Sequence, residues 1–198
     1  MPAFKHTMTV INTRVRAFAA LIACALVVAC SGSANDHAMQ SNDGEPVNYL
    51  VYDASFSSAG MPDAAFIQQL ASNGVDHVIN IAPPDADGSL DDEAALVAAA
   101  NMQYLNIAVD WHEPTQEDVD TFLRFMREHS DDNVFLHCQM NMRATAFAML
   151  HRVINQQVAP TDALADMQTI WTPNETWATL INTTLDRHDI DFKVPAAD

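Results

Sequence analysis

The sequence predicts one α/β domain built on a mainly parallel sheet of four to five strands flanked by helices. Three observations predict it. Apolar runs of strand length alternate with segments of helical periodicity from Val47 onward, and such alternation folds as parallel strands joined by covering helices. The chain has 198 residues, 49% hydrophobic and 18% charged, enough for one domain with a true core. Proline, glycine and capping residues fall at the boundaries between runs.

The first stretch, 1–29, stands apart. Lys5, Arg14 and Arg16 form a positive region, and Ala17 to Ala29 is small and apolar. That run is too short to span a membrane comfortably and reads as an export signal. It ends Val27-Val28-Ala29-Cys30-Ser31, which resembles a bacterial lipobox. The resemblance implies lipidation of Cys30 and a lipid anchor. Ser31 after it points to the outer membrane, facing the periplasm. Residues 30–46 are rich in Ser, Asn, Asp and Gly and read as a flexible tether. The domain is expected over 47–190, with a disordered tail at 191–198.

Within the domain, Val47 to Tyr52 alternates as a strand, and Asp53 to Met61 reads as a loop. Pro62 suits a first helical position, with Ala65, Phe66 and Leu70 on one side of a helix that ends at Gly74. Val75 to Ile81 is a strand stopped by Pro83-Pro84, Leu90 to Ala100 a helix, and Met102 to Val109 a strand. Thr115 with Asp118 is a capping box, and Phe122, Leu123, Phe125 and Met126 give the following helix its buried side. Val134 to His137 is a strand and Ala144 to Gln157 a helix. Pro160-Thr161 and Thr172-Pro173 start two more, with Thr172 and Glu175 as a second box. The sequons at Asn174 and Asn182 fall in helical settings and read as chance.

Charge and cysteine usage narrow the function. The formal charge is −17, and all three basic residues ahead of residue 30 would leave with a cleaved signal. Such a surface opposes nucleic acid and anionic membranes, so contact with a membrane is expected only through the lipid. Cys24 and Cys30 belong to the export segment, so Cys138 would be the one thiol of the mature domain, an expected monomer. The histidines, His112, His129, His137, His151 and His188 among them, make no His-x-His or His-Glu-x-x-His spacing. No metal and no cofactor is expected.

Cys138 sits in Val134-Phe135-Leu136-His137-Cys138-Gln139-Met140-Asn141-Met142-Arg143-Ala144-Thr145, read as strand, loop and helix. A cysteine at the mouth of a helix meets free backbone N–H groups and the positive dipole end, which favour a thiolate. The same groups suit an oxyanion, and Arg143 adds a planar fork of donors. Asn141 tolerates the positive φ that a tight loop needs.

The stretch resembles the signature loop of the cysteine-dependent protein tyrosine phosphatases, including the dual-specificity branch. It departs from it in three ways. Four residues rather than five separate Cys138 from Arg143, the loop holds no glycine, and Ala144 stands where the hydroxyl follows the arginine. Thr145 keeps the spacing of that hydroxyl from the cysteine. Ser58-Ala59-Gly60-Met61-Pro62 and Gly74-Val75 with Val78-Ile79-Asn80-Ile81 are similar to the front half of small bacterial domains of this type.

The resemblance implies a three-layer phosphatase-like domain that hydrolyses phosphomonoesters, on protein or small molecules, through a phosphocysteine. Cys138 would be the nucleophile. The backbone of Gln139, Met140, Asn141 and Met142 would hold the phosphate with Arg143. Asp110, on a strand-to-helix loop, would be the acid, with His112 and Glu113 as competitors and a turn role as the plain reading. His137 and Thr145 would support the cysteine. Two alternatives stay open: an anion-binding module without turnover, and a single-thiol redox protein.

Overall fold

The computed structural model describes residues 44–197; the export segment, Cys30 and most of the expected tether lie outside them. Five strands run β1 (Leu50–Val51), β2 (Phe56–Ala59), β3 (His77–Asn80), β4 (Gln103–Asn106) and β5 (Val134–His137). Their order across the sheet is β1-β2-β5-β3-β4. β2, β5, β3 and β4 are parallel, and β1 pairs antiparallel with β2 at the edge. Six helices occur among the described residues: α1 (Ala64–Ser72), α2 (Glu93–Ala99), α3 (Gln116–Glu128), α4 (Met142–Ile154), α5 (Pro160–Gln168) and α6 (Glu175–Arg187). None is long and apolar enough to cross a membrane.

The sheet separates two cores. Side chains alternate along β5, as a strand requires. Phe135 packs with Phe66, Ile67, Leu70 and Val97 from α1 and α2. Val134, Leu136 and Cys138 face the larger core of α3, α4 and α6. α4 is apolar nearly all round because it is the central helix: eleven residues from Arg143 to Val153 are buried. The middle of the domain is therefore β5 followed by α4, with the loop between them at the carboxyl edge of the sheet.

Several boundaries differ from the expected ones. β2 lies inside the stretch read as a loop, since Phe56-Ser57-Ser58-Ala59 is polar in sequence yet wholly buried. The Ser58 hydroxyl is satisfied by the Tyr52 hydroxyl at 2.8 Å, which removes the cost of burying it. α1 starts after Asp63, not at Pro62, because the Asp63 carboxylate accepts from Phe66 N at 2.7 Å. The capping box at Thr115 is present. The one expected at Thr172 is not the cap of α6; Asn174 is, accepting from Trp177 N. Residues expected as a loose tail pack instead. Val194 is buried, and its backbone exchanges two hydrogen bonds with the Asn182 side chain at 2.8 and 3.0 Å.

Candidate active site

The loop after β5 turns into α4 through Asn141, whose φ of +64° lies in the left-handed region. Asparagine adopts it at less cost than other residues with a side chain, as expected where glycine is missing. Helix α4 then starts at Met142, so Arg143 lies within its first turn. The N–H groups of that turn have no intrahelical acceptor.

A segment far away in sequence clasps the loop from outside. Asn48 donates to Met140 O at 2.9 Å, and the Asn141 amide donates back to Asn48 O at 2.5 Å. Met61 N donates to Gln139 O at 3.1 Å, and Cys138 N to Ala59 O at 3.3 Å. Gly60 makes the approach possible: a Cβ there would stand 2.8 Å from Gln139 O.

The clasped loop floors a pocket of about 340 Å³ lined by Trp111, Cys138, Gln139, Met140, Met142 and Arg143. Cys138 is 1% exposed, a free thiol at the bottom. Arg143 is 9% exposed, its guanidinium 5.5 Å from the centre of the Trp111 ring. It pairs with no carboxylate among the described residues, and its buried Nε has no hydrogen-bond partner. A largely buried cation without a counter-ion calls for an anion, and the dipole end of α4 adds to the field.

Behind the loop, His137 points to the other face of the sheet, as its strand position requires. There its Nε2 lies 2.7 Å from Glu93 Oε1, both groups buried. Asn80 and Tyr104 donate to Glu93 Oε2 at 2.8 and 3.0 Å. Burial raises the Glu93 pKa, but His137, Asn80 and Tyr104 outweigh it and hold the carboxyl below the ordinary range. Neither Glu93 nor Trp111 is legible in the sequence as a site residue. Glu93 is the first residue of an alanine-rich helix, and Trp111 adjoins a more conspicuous aspartate.

The remaining expected residues are placed differently. Asp110 is exposed, and its Oδ1 accepts from His112 N at 2.6 Å and Glu113 N at 3.1 Å. Those two N–H groups, with minor help from His112 and Arg143, lower its pKa. Its Oδ1 forms the turn, and neither it, His112 nor Glu113 lines the pocket. The Thr145 hydroxyl donates to Met142 O and accepts from Trp171 Nε1, each at 3.0 Å. It therefore braces the first turn of α4. Asn141 contributes a turn and a clasp, its Nδ2 given to Asn48 O while its buried Oδ1 has no hydrogen-bond partner.

A free thiol and an unpaired guanidinium line one pocket on the strand-to-helix loop of a parallel sheet, and the fold is the one seen in protein tyrosine phosphatase-like structures. The chain is similar to a DUF442 phosphatase-like protein from Shewanella putrefaciens CN-32, with 31% identity and a TM-score of 0.67. The match covers 72% of this chain and 94% of that one, and the chain belongs to the DUF442 family. The fold is also that of PTPMT1 in complex with PI(5)P, at 13% identity and a TM-score of 0.63 over 71% of this chain and 96% of that one. TpbA of P. aeruginosa in complex with pTyr shares it at 21% identity and a TM-score of 0.52, over 62% and 72%. No protein-family model matches the sequence, and no curated protein matches it.

Proposed function

We propose that the chain is a cysteine-dependent phosphomonoester phosphatase acting through a phosphocysteine. The observation that carries this reading is the pocket shared by the Cys138 thiol and the unpaired Arg143 guanidinium at the N-terminus of α4. A phosphoryl group seated there takes charge stabilisation from Arg143 and the first-turn N–H groups. The Cys138 thiolate attacks phosphorus, an S–P bond forms and the ester P–O bond breaks. Asp110 gives its proton to the leaving oxygen, then takes one from the water that cleaves the S–P bond and frees phosphate. To do so it must leave the turn it caps, so esters with acidic leaving groups should react fastest.

The four-residue bridge fits this reading, since α4 begins before the arginine and Arg143 still reaches the pocket. The ligands bound in those related folds, PI(5)P and pTyr, support one chemical class, a phosphomonoester on a protein or small molecule. The chain is taken to work outside the cytoplasm, lipidated at Cys30 and held at the outer membrane facing the periplasm. Metabolic labelling with a fatty acid, lost in Cys30→Ser, tests that placement.

The test of activity is hydrolysis of aryl phosphates by wild type, Cys138→Ser and Asp110→Asn. Cys138→Ser should lose at least about a thousandfold, and Asp110→Asn about a hundredfold with poor leaving groups. If wild type is as inert as Cys138→Ser toward several monoesters, catalysis is refuted. A second reading, an anion-binding module, is favoured by the turn-bound state of Asp110. It predicts phosphate binding that survives Cys138→Ser, with no turnover.

A further inference from the structure

At the opposite edge of the sheet, two histidines converge on one aspartate. His77 opens β3 and is 2% exposed. His129 is the C-cap of α3, and Asp132 follows three residues later on the way into β5. His77 Nε2 lies 2.9 Å and His129 Nδ1 2.8 Å from the same oxygen, Asp132 Oδ2. The imidazole centres are 4.3 Å apart, and the three donor atoms all fall within 4.8 Å of one another. We propose that His77, His129 and Asp132 form a binding site for a divalent transition ion of the zinc type, separate from the Cys138 pocket.

The donor set is the argument. Two imidazole nitrogens and one carboxylate oxygen suit zinc and its neighbours and not magnesium or calcium, which prefer oxygen. A tetrahedral ion with bonds of about 2.0–2.1 Å sets its ligand atoms roughly 3.3 Å apart. The two observed spacings are about half an ångström shorter, as atoms sharing hydrogens would be. Opening them needs little movement, because the His129 and Asp132 side chains are 30% and 40% exposed, while His77 stays fixed in the sheet. An adjoining pocket of about 250 Å³, lined in part by His129, Ser130 and Asp132, leaves room for a water as fourth ligand. A formal charge of −17 also concentrates cations around the chain.

Such an ion would tie the end of α3 to the starts of β3 and β5. It lies a strand length, about 13 Å, from Cys138, so its role is structural and does not depend on the proposed catalysis. Sequence spacing hides the site, since His77 is brought to the other two only by the sheet.

The test is calorimetric titration of the full chain, stripped with EDTA, with zinc chloride. It is run beside His129→Ala, Asp132→Asn and Cys138→Ser. One ion should bind per chain with micromolar or tighter affinity, and saturation should raise the melting temperature by several degrees. Affinity should fall at least about tenfold in His129→Ala and Asp132→Asn and stay unchanged in Cys138→Ser. No saturable binding, a smaller fall in both ligand variants, or loss in Cys138→Ser would overturn the assignment. Both ligand variants alter partly exposed side chains, and melting in EDTA checks that they fold.

Discussion

Removing Glu93 is the sharpest test of how the site is supported. In Glu93→Ala the buried His137 loses a carboxylate oxygen 2.7 Å from its Nε2, the buried Asn80 amide loses its acceptor at 2.8 Å and the half-buried Tyr104 hydroxyl its acceptor at 3.0 Å. An orphaned buried donor costs about 1–3 kcal/mol, and breaking a buried pair from one side about 3–5 kcal/mol. The losses overlap, since the Asn80 and Tyr104 side chains also touch each other at 3.3 Å, so about 4 kcal/mol is expected. With a urea slope of about 2 kcal/mol/M for a domain of this size, the unfolding midpoint should drop by roughly 2 M. Glu93→Gln keeps the shape but not the charge and should lose about 1–3 kcal/mol. The sign with pH follows from the depressed carboxyl. Its contribution is complete above the ordinary carboxylate range and is lost as pH falls through the lower folded value. Parent stability should therefore fall more steeply in acid than that of Glu93→Gln. Urea unfolding followed by tryptophan fluorescence, from neutral pH into acid, measures both effects. A Glu93→Ala midpoint within about 0.5 M of the parent would refute the reasoning. Because His137 precedes Cys138, any turnover should fall as well.

Two other outcomes follow from single residues. Gly60→Ala would push its Cβ into the Val47 side chain and against Gln139 O, 2.8 Å away, and should cost about 1–3 kcal/mol and at least tenfold in turnover; thermal melts and aryl phosphate assays read these, and a silent Gly60→Ala would mean that neither contact holds the loop. Burial pushes His151 from 6.5 down to about 4, with Asp53 opposing and Arg152 adding. A histidine depressed in the fold is protonated first in the unfolded chain, so stability should be lost as pH falls from about 6.5 to about 4, by up to roughly 3 kcal/mol. That acid limb should be missing in His151→Leu, and an unchanged limb would exclude His151 as its source.

Much of the frame is legible in the sequence where local signals are strong. β5 ends where the apolar run ends, and the Thr115 box opens α3 because its two hydrogen bonds are local. Asn141 is recognisable as the turn residue for the same reason. β2 is not legible, since two serines in four residues read as solvent until Tyr52 and the neighbouring strands cover them. At the site, cysteine and arginine are evident from one short stretch. Glu93, Trp111, Asn48 and Gly60 are supplied by other parts of the chain, and only tertiary pairing gives them a function. Asp110 is conspicuous in sequence, yet its carboxylate caps its own turn, an outcome that spacing alone does not separate from acid catalysis.

The mutual amide grip between Asn48 and residues 140 and 141 has a practical corollary for trimming the polypeptide. A version begun at residue 49 would retain every helix and all four parallel strands, and the thiol itself. It would lack the latch that sets the curvature of the loop over that thiol. An inert trimmed protein would thus say little about the native one, and recombinant boundaries are best drawn ahead of Val47, whose carbonyl accepts from Gly60 N.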